Sequence, residues 1–202
     1  MIKSKKAKKA EYGTVNVRFL ALLTDEQKEM LPKYFGHSRY IYNYCLQYNK
    51  ELYEKEKRCL DNKKLQDQLP ILKKQGETSF LSEVDSTSLQ QAVANYWSAM
   101  ERFFSHKSGY PRFKSKYRKE SFRITNNKRK DKNGEDGNSI RFDSSGNLKI
   151  GKFGWVRTKS ICKMPEGEIQ YATVKRNKTG KVFVTLTVRR DKAPDKLKPT
   201  GK

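Results

Sequence analysis

Between residues 11 and 21 the chain reads EYGTVNVRFLA, and Val15, Val17 and Phe19 alternate with Asn16 and Arg18. A period of two puts alternate side chains on one face, so this segment is expected to be a strand. The period then changes. Thr24-Asp25-Glu26-Gln27 has the spacing of a capping box, with Thr24 as cap and Gln27 reaching back, and opens a helix expected to run to about Phe35. From His37 to Lys57, Tyr40, Ile41, Tyr44, Cys45, Tyr48, Leu52 and Glu56 recur at helical spacing, and such a stripe of bulky residues reads as core. A short helix is expected over 63–74 with an interruption near Pro70, then a turn over 81–85. Thr87 and Gln90 have the spacing of a second capping box. The helix it opens would bury Leu89, Val93, Tyr96, Trp97, Met100 and Phe103.

After Phe104 the pattern is short and strand-like, near 121–125, 139–142, 148–150 and 154–157. The clearest element is a hairpin, 169–176 and 181–189, turned by Asn177-Lys178-Thr179-Gly180. The strand at 11–21 needs partners, and these exist only after residue 120. The predicted fold is therefore α+β: a small β-barrel-like lobe with a helical lobe inserted after its first strand. The expected divisions are a basic tail (1–10), the first strand (11–22), a helical lobe (23–106), a basic segment with the rest of the β lobe (107–190) and a basic C-terminal tail (191–202).

Charge changes the picture most. Lys and Arg number 45 against 22 Asp and Glu, a formal net charge of +23. Self-repulsion on that scale opposes compaction unless a polyanion relieves it, and nucleic acid gains counterion release on contact. Segment 107–132 concentrates this charge, with 11 Lys/Arg against 2 Asp/Glu, and interleaves Tyr110, Phe113, Tyr117 and Phe122. Lys107, Arg112, Lys114, Lys116, Arg118, Lys119 and Arg123 are the candidate RNA-phosphate contacts. Tyr110 and Phe113 could stack on bases or anchor a turn.

Cys45, Cys59 and Cys162 form no CxxC pair, so neither a zinc site nor a disulfide framework is indicated. His37 and His106 lack ligand neighbours in sequence and read as surface residues. No apolar run approaches the ~20 residues that span a bilayer, and the basic start lacks a signal peptide's apolar region. A cytoplasmic protein with no membrane partner is expected.

Several short blocks occur in a fixed order. They are His37-Ser38-Arg39-Tyr40-Ile41-Tyr42-Asn43, Ser79-Phe80-Leu81-Ser82-Glu83-Val84-Asp85 with Leu89-Gln90-Gln91, Phe103-Phe104, and Gly109-Tyr110-Pro111-Arg112-Phe113-Lys114-Ser115-Lys116. Glu120-Ser121-Phe122-Arg123 and Gly154-Trp155-Val156-Arg157-Thr158-Lys159 continue the series. This succession resembles the amino-terminal half of transposon-encoded TnpB (OrfB) RNA-guided nucleases.

The resemblance implies a wedge (OB-like) barrel and a helix-turn-helix-like recognition lobe that hold a guide RNA and read a short motif beside a DNA target. It implies motif contacts at Ser86, Thr87, Gln90, Thr125 and Asn126. The residue types suit that role, since a helix N-terminus favours phosphate and Gln or Asn pairs bidentately with adenine. A capping box explains Gln90 equally well. Some relatives carry a basic–aromatic pair where this chain has Ser86-Thr87, which leaves the motif itself open.

In full-length relatives a RuvC-like domain with acidic metal ligands follows the last hairpin. This chain reaches Lys202 where that domain would begin, and its carboxylates lack catalytic spacing. No catalytic residue, metal ligand or cofactor is expected in it, Mg²⁺ entering only with a RuvC-like half. The expected function is a guide-RNA and DNA-motif binding module without cleavage of its own. The alternatives are a subunit of a split endonuclease with a separate RuvC-like chain, or a non-cutting DNA-binding regulator. The expected partners are guide RNA, double-stranded DNA and, in the split case, that second chain.

Overall fold

The computed structural model describes residues 13–116, 120–128, 137–158 and 166–190. Arg118 and Lys119, Cys162 and the two basic tails lie outside the described residues. The first strand, β1 (Gly13–Leu22), is followed by helices α1 (Asp25–Glu56), α2 (Asn62–Asp67) and α3 (Leu69–Lys74), a 3-10 segment (Gly76–Glu83) and α4 (Ser86–Phe104). Strands β2 (Ser121–Thr125), β3 (Ile140–Phe142), β4 (Leu148–Ile150), β5 (Gly154–Thr158), β6 (Glu168–Arg176) and β7 (Val182–Arg190) follow.

The capping box at Thr24 forms as expected, with Gln27 N donating to Thr24 Oγ1 and Thr24 N to Gln27 Oε1. The helix it opens does not stop near Phe35. It is a single helix of 32 residues that runs through Pro32 and Gly36. An interior Pro costs ~3 kcal/mol and a Gly ~1 kcal/mol. Against this, Leu31, Tyr34, Phe35, Ile41, Tyr42, Cys45 and Leu46 are buried on one face, Ile41 and Tyr42 following Tyr34 and Phe35 by two full turns. Each large side chain contributes ~1.5–3 kcal/mol on burial, so the stripe outweighs the two breakers.

Residues 81–83 close the 3-10 segment instead of forming a plain turn, and Gln68 separates α2 from α3 beside Pro70. The tyrosines of α1 divide. Tyr42 is core, Tyr44 and Tyr48 are half-buried at its edge, and Tyr40 is exposed. Tyr40, Tyr44 and Tyr48 stack along the helix on one another, with centroids 6.4 and 5.8 Å apart.

The α+β class is borne out, with the helices lying between β1 and the later strands. The strands form one antiparallel seven-stranded sheet in the order β2-β6-β7-β1-β5-β4-β3. Among the described residues, strand pairing does not close it into a barrel. Its two ends meet at Asn126, whose Oδ1 accepts from Ile140 N (2.9 Å) while its Nδ2 donates to Ile169 O (3.0 Å). A side-chain amide there supplies the donor and acceptor that a further strand would have offered.

Helices and sheet share a core. Tyr34 of α1 stacks on Phe122 of β2 (4.3 Å), and both rings meet Phe153 edge-on. Asp85 ties the same corner. Its carboxylate accepts from Tyr34 OH and from Lys152 N. Gly151 lets the chain pass close by, with φ +48° and an added Cβ placed 2.5 Å from Asp85 Oδ1.

Candidate nucleic-acid interface

The basic stretch after α4 has no helix or strand of its own up to Lys116, yet α1 fixes it. Pro111 is buried, and Tyr110 packs edge-on against Phe103 at 5.2 Å. Asn43 then treats Lys114 as a strand would: its Nδ2 donates to Lys114 O (3.0 Å) and its Oδ1 accepts from Lys114 N (2.8 Å). The Lys114 ammonium lies 3.9 Å from the centroid of the Tyr42 ring. The residue as a whole is exposed, but its ammonium is desolvated, which holds its pKa below the ordinary lysine value.

This anchoring sets Arg112, Lys114 and Lys116 along one wall of a cleft of about 1020 Å³. Arg39 of α1 lies on a second wall, and Lys175 and Arg176 at the end of β6 with Lys178 of the β6–β7 turn on a third. The single carboxylate lining it, Glu120, accepts from Arg176 Nε at 2.7 Å. The other six cations have no carboxylate partner among the described residues. Phe113, 55% exposed, lines the same cleft.

Two other residues of the expected RNA set stand elsewhere. Lys107 is exposed beyond the end of α4, its N–H on Arg102 O. Arg123, on β2, sits 4.0 Å over the Tyr171 ring with its Nε on Thr173 Oγ1. Sequence reasoning missed Arg39, Lys175 and Lys178 as members of the cleft, and Asn43 as its clamp. Arg39 and Asn43 do lie inside the quoted block His37 to Asn43, which was the available signal.

The second expected surface is the start of α4, which packs beside β2. Its N-cap is Asp85, one residue before Ser86, and no side-chain cap bond forms. The expected capping box of Thr87 and Gln90 is therefore absent. Thr87 already lies within the first turn, with its Oγ1 buried and unpaired, and Gln90 is exposed. Ser86 Oγ accepts from Lys73 Nζ at 2.7 Å. The Lys73 ammonium is held below the usual lysine range by desolvation and by nearby Lys152. Thr125 is exposed at the end of β2, whereas the amide of Asn126 is committed to backbone groups of β3 and β6.

Among the described residues no three His, Cys, Asp or Glu side chains lie close enough to hold a metal ion, and no helix is long and apolar enough to cross a membrane.

Comparison with known proteins gives this geometry a context. Residues 15–58 match the helix-turn-helix domain family of OrfB from IS605-type elements. Within those bounds the structure holds β1 and the single helix α1. A candidate RNA-guided DNA endonuclease of Streptomyces pristinaespiralis is 34% identical over 164 residues, 81% of this chain and 38% of that protein. The InsQ protein of Escherichia coli K12, a second candidate RNA-guided DNA endonuclease, is 24% identical over 80% of this chain and 37% of its own length. A Cas12f1 chain from a complex with guide RNA and target DNA aligns over 90% of this chain and 49% of its own, at 13% identity and a TM-score of 0.43. At that score the likeness decides nothing further.

The domain match and the relatives define an amino-terminal region of a transposon-associated protein class. The chain is a TnpB (OrfB)-type region, and it spans under two fifths of the length of the curated relatives it matches.

Proposed function

We propose that these residues form a guide-RNA and target-adjacent DNA-motif binding module, with RNA phosphates seated in the cleft between α1, the 112–116 segment and the β6–β7 turn. The observation that carries this is the convergence of Arg39, Arg112, Lys114, Lys116, Lys175 and Lys178 around one space without a free carboxylate. Such a field repels itself until a polyanion enters, and phosphates at RNA spacing suit it. Phe113 gives an unpaired base a face beside those charges.

Ser86, Gln90 and Thr125 are the side chains we assign to the DNA motif, while Thr87, with its Oγ1 buried, stands behind them in the first turn. Asn126 acts from behind, by holding the end of β2 on which Thr125 stands. No cleavage step is assigned to the described residues. Their carboxylates near these surfaces are engaged: Asp85 by Tyr34 and Lys152, Glu120 by Arg176, Glu168 by Lys128 and Arg189.

The test compares two triple variants of the full chain on an RNA hairpin across a salt series. Each lost phosphate contact removes about 0.7–0.9 from the slope of log affinity against log salt, so a triple variant should flatten it by about 2–3. We expect this of Arg112→Ala/Lys114→Ala/Lys116→Ala and equally of Arg39→Ala/Lys175→Ala/Lys178→Ala. Unchanged slopes in both would remove the cleft from the RNA path.

A further inference from the structure

A different patch of the sheet carries aromatic and cationic chemistry that the cleft does not use. In strand register Arg141 of β3 faces Lys149 of β4, and Lys149 faces Trp155 of β5. The flanking positions Ile140, Leu148, Ile150 and Val156 are all buried, so this row lies on the opposite, outer face. Trp155 is 41% exposed there. The Arg141 guanidinium lies 5.7 Å and the Lys149 ammonium 5.8 Å from its ring centroid. Arg157, two residues further along β5, is exposed on the same face. None of these three cations has a carboxylate partner among the described residues.

The indole is also well mounted. The Trp155 carbonyl accepts from Gln27 Nε2 at 2.8 Å, and Arg141 Nη1 donates to Asn138 O at 3.2 Å. Exposure of a lone aromatic is ordinary and decides nothing. A flat ring on a rigid strand, rimmed by unneutralised cations, matches a nucleotide: the base stacks on the ring and the flanking phosphates meet the charges.

We propose that the outer face of β3–β5 binds single-stranded RNA, with one unpaired base on Trp155 and neighbouring phosphates on Arg141, Lys149 and Arg157. The proposal rests on the nucleic-acid reading above but concerns a separate surface. RNA is the source because duplex DNA keeps its bases stacked inside, whereas loops and ends of RNA present them.

The test uses the full chain carrying Trp97→Phe, which leaves Trp155 as the sole indole. Three probes are titrated: a short oligouridylate, an RNA duplex of equal length, and an oligothymidylate. Oligouridylate should quench the Trp155 emission. Trp155→Ala should weaken its binding roughly 5- to 150-fold, the range of one base–aromatic stack, while duplex affinity stays within about twofold. Trp155→Phe should keep most of the affinity, and Arg141→Gln/Lys149→Gln should lower the salt slope. An unchanged melting temperature for Trp155→Ala confirms that the sheet is intact.

If the parent chain binds both RNAs and Trp155→Ala changes neither, or changes both alike, the Trp155 site is overturned and the cleft stands. A loss confined to oligothymidylate overturns the RNA assignment. If the parent chain binds none of the probes, the functional reading itself fails.

Discussion

Replacing Asn43 by Ala removes the two hydrogen bonds that hold Lys114 N and O to α1 and leaves every charge in the cleft in place. Each such bond is worth about 0.5–1.5 kcal/mol net, so the clamp contributes about 1–3 kcal/mol, toward the low end at an exposed site. Without it, segment 112–116 must be ordered when RNA arrives, and the ordering cost comes out of the binding free energy. RNA affinity should therefore fall about 5-fold, and at most about 150-fold, with an unchanged salt slope because no phosphate contact is lost. The Lys114 amide should exchange its hydrogen faster by a similar factor, since Asn43 Oδ1 is its acceptor. Filter binding across a salt series and hydrogen exchange read the two effects separately. Faster exchange with unchanged affinity would show that pre-ordering of this segment does not matter to binding. A slope that drops with Asn43→Ala would show that the clamp acts on charge placement, against the reasoning here.

Phosphates in the cleft would restore the depressed Lys114 pKa, so RNA binding should take up protons and weaken as pH rises between the depressed and ordinary lysine values. Calorimetry in buffers of different ionisation enthalpy reads this, and Lys114→Arg should abolish it. The free protein shows the opposite sign, because the unfolded chain binds more protons in that window and stability rises with pH across it. Asp85→Ala strands the buried Tyr34 hydroxyl and should cost about 1–3 kcal/mol in denaturant melts. Gly151→Ala should cost about 1 kcal/mol or more through its positive φ and the Asp85 clash, and the double variant should lose less than the sum. Gln90→Ala should shift the preferred motif in a randomised-sequence selection with stability kept within about 0.5 kcal/mol, since no cap is lost. Asn126→Ala should instead lower stability by about 1–3 kcal/mol, leaving Ile140 N and Ile169 O unpaired. Should Asn126→Ala leave stability intact, its role at the sheet ends is wrong.

The strands were readable because each is a short run of alternating burial with a turn signal at its end. The β6–β7 hairpin shows this best: Val182, Val184, Leu186 and Val188 are all buried. The single helix α1 was not readable from Pro32 and Gly36, which locally argue for a break, but it was latent in a stripe that keeps its phase across both. The second capping box failed for a related reason. Thr87 and Gln90 have the right spacing, yet Asp85 precedes them and sets the helix start two residues earlier than Thr87 requires. The basic wall of the cleft was visible as a charge run. Its opposite walls were not, because Arg39 and Lys175 belong to different elements and only the packed fold brings them to one space. Asn126 looked like a base-reading amide, but it is satisfied by backbone groups that no local pattern exposes.

The pairing of β1 with β7 governs the order in which the molecule can assemble. Thr187 donates to Asn16 across 171 positions of sequence, and β7 lies between β6 and β1 within the sheet. At synthesis rates of about 5–20 residues per second, β1 waits roughly 9–34 s for that partner to be made. The contacts of α1 with α4 are complete well before then, so the emerging chain carries a formed helical half beside an unmatched apolar strand. The last of the described strands to be synthesised is thus a central one. Stopping translation before β7 would leave the sheet in two pieces, β2-β6 and β1-β5-β4-β3, with no ladder between them.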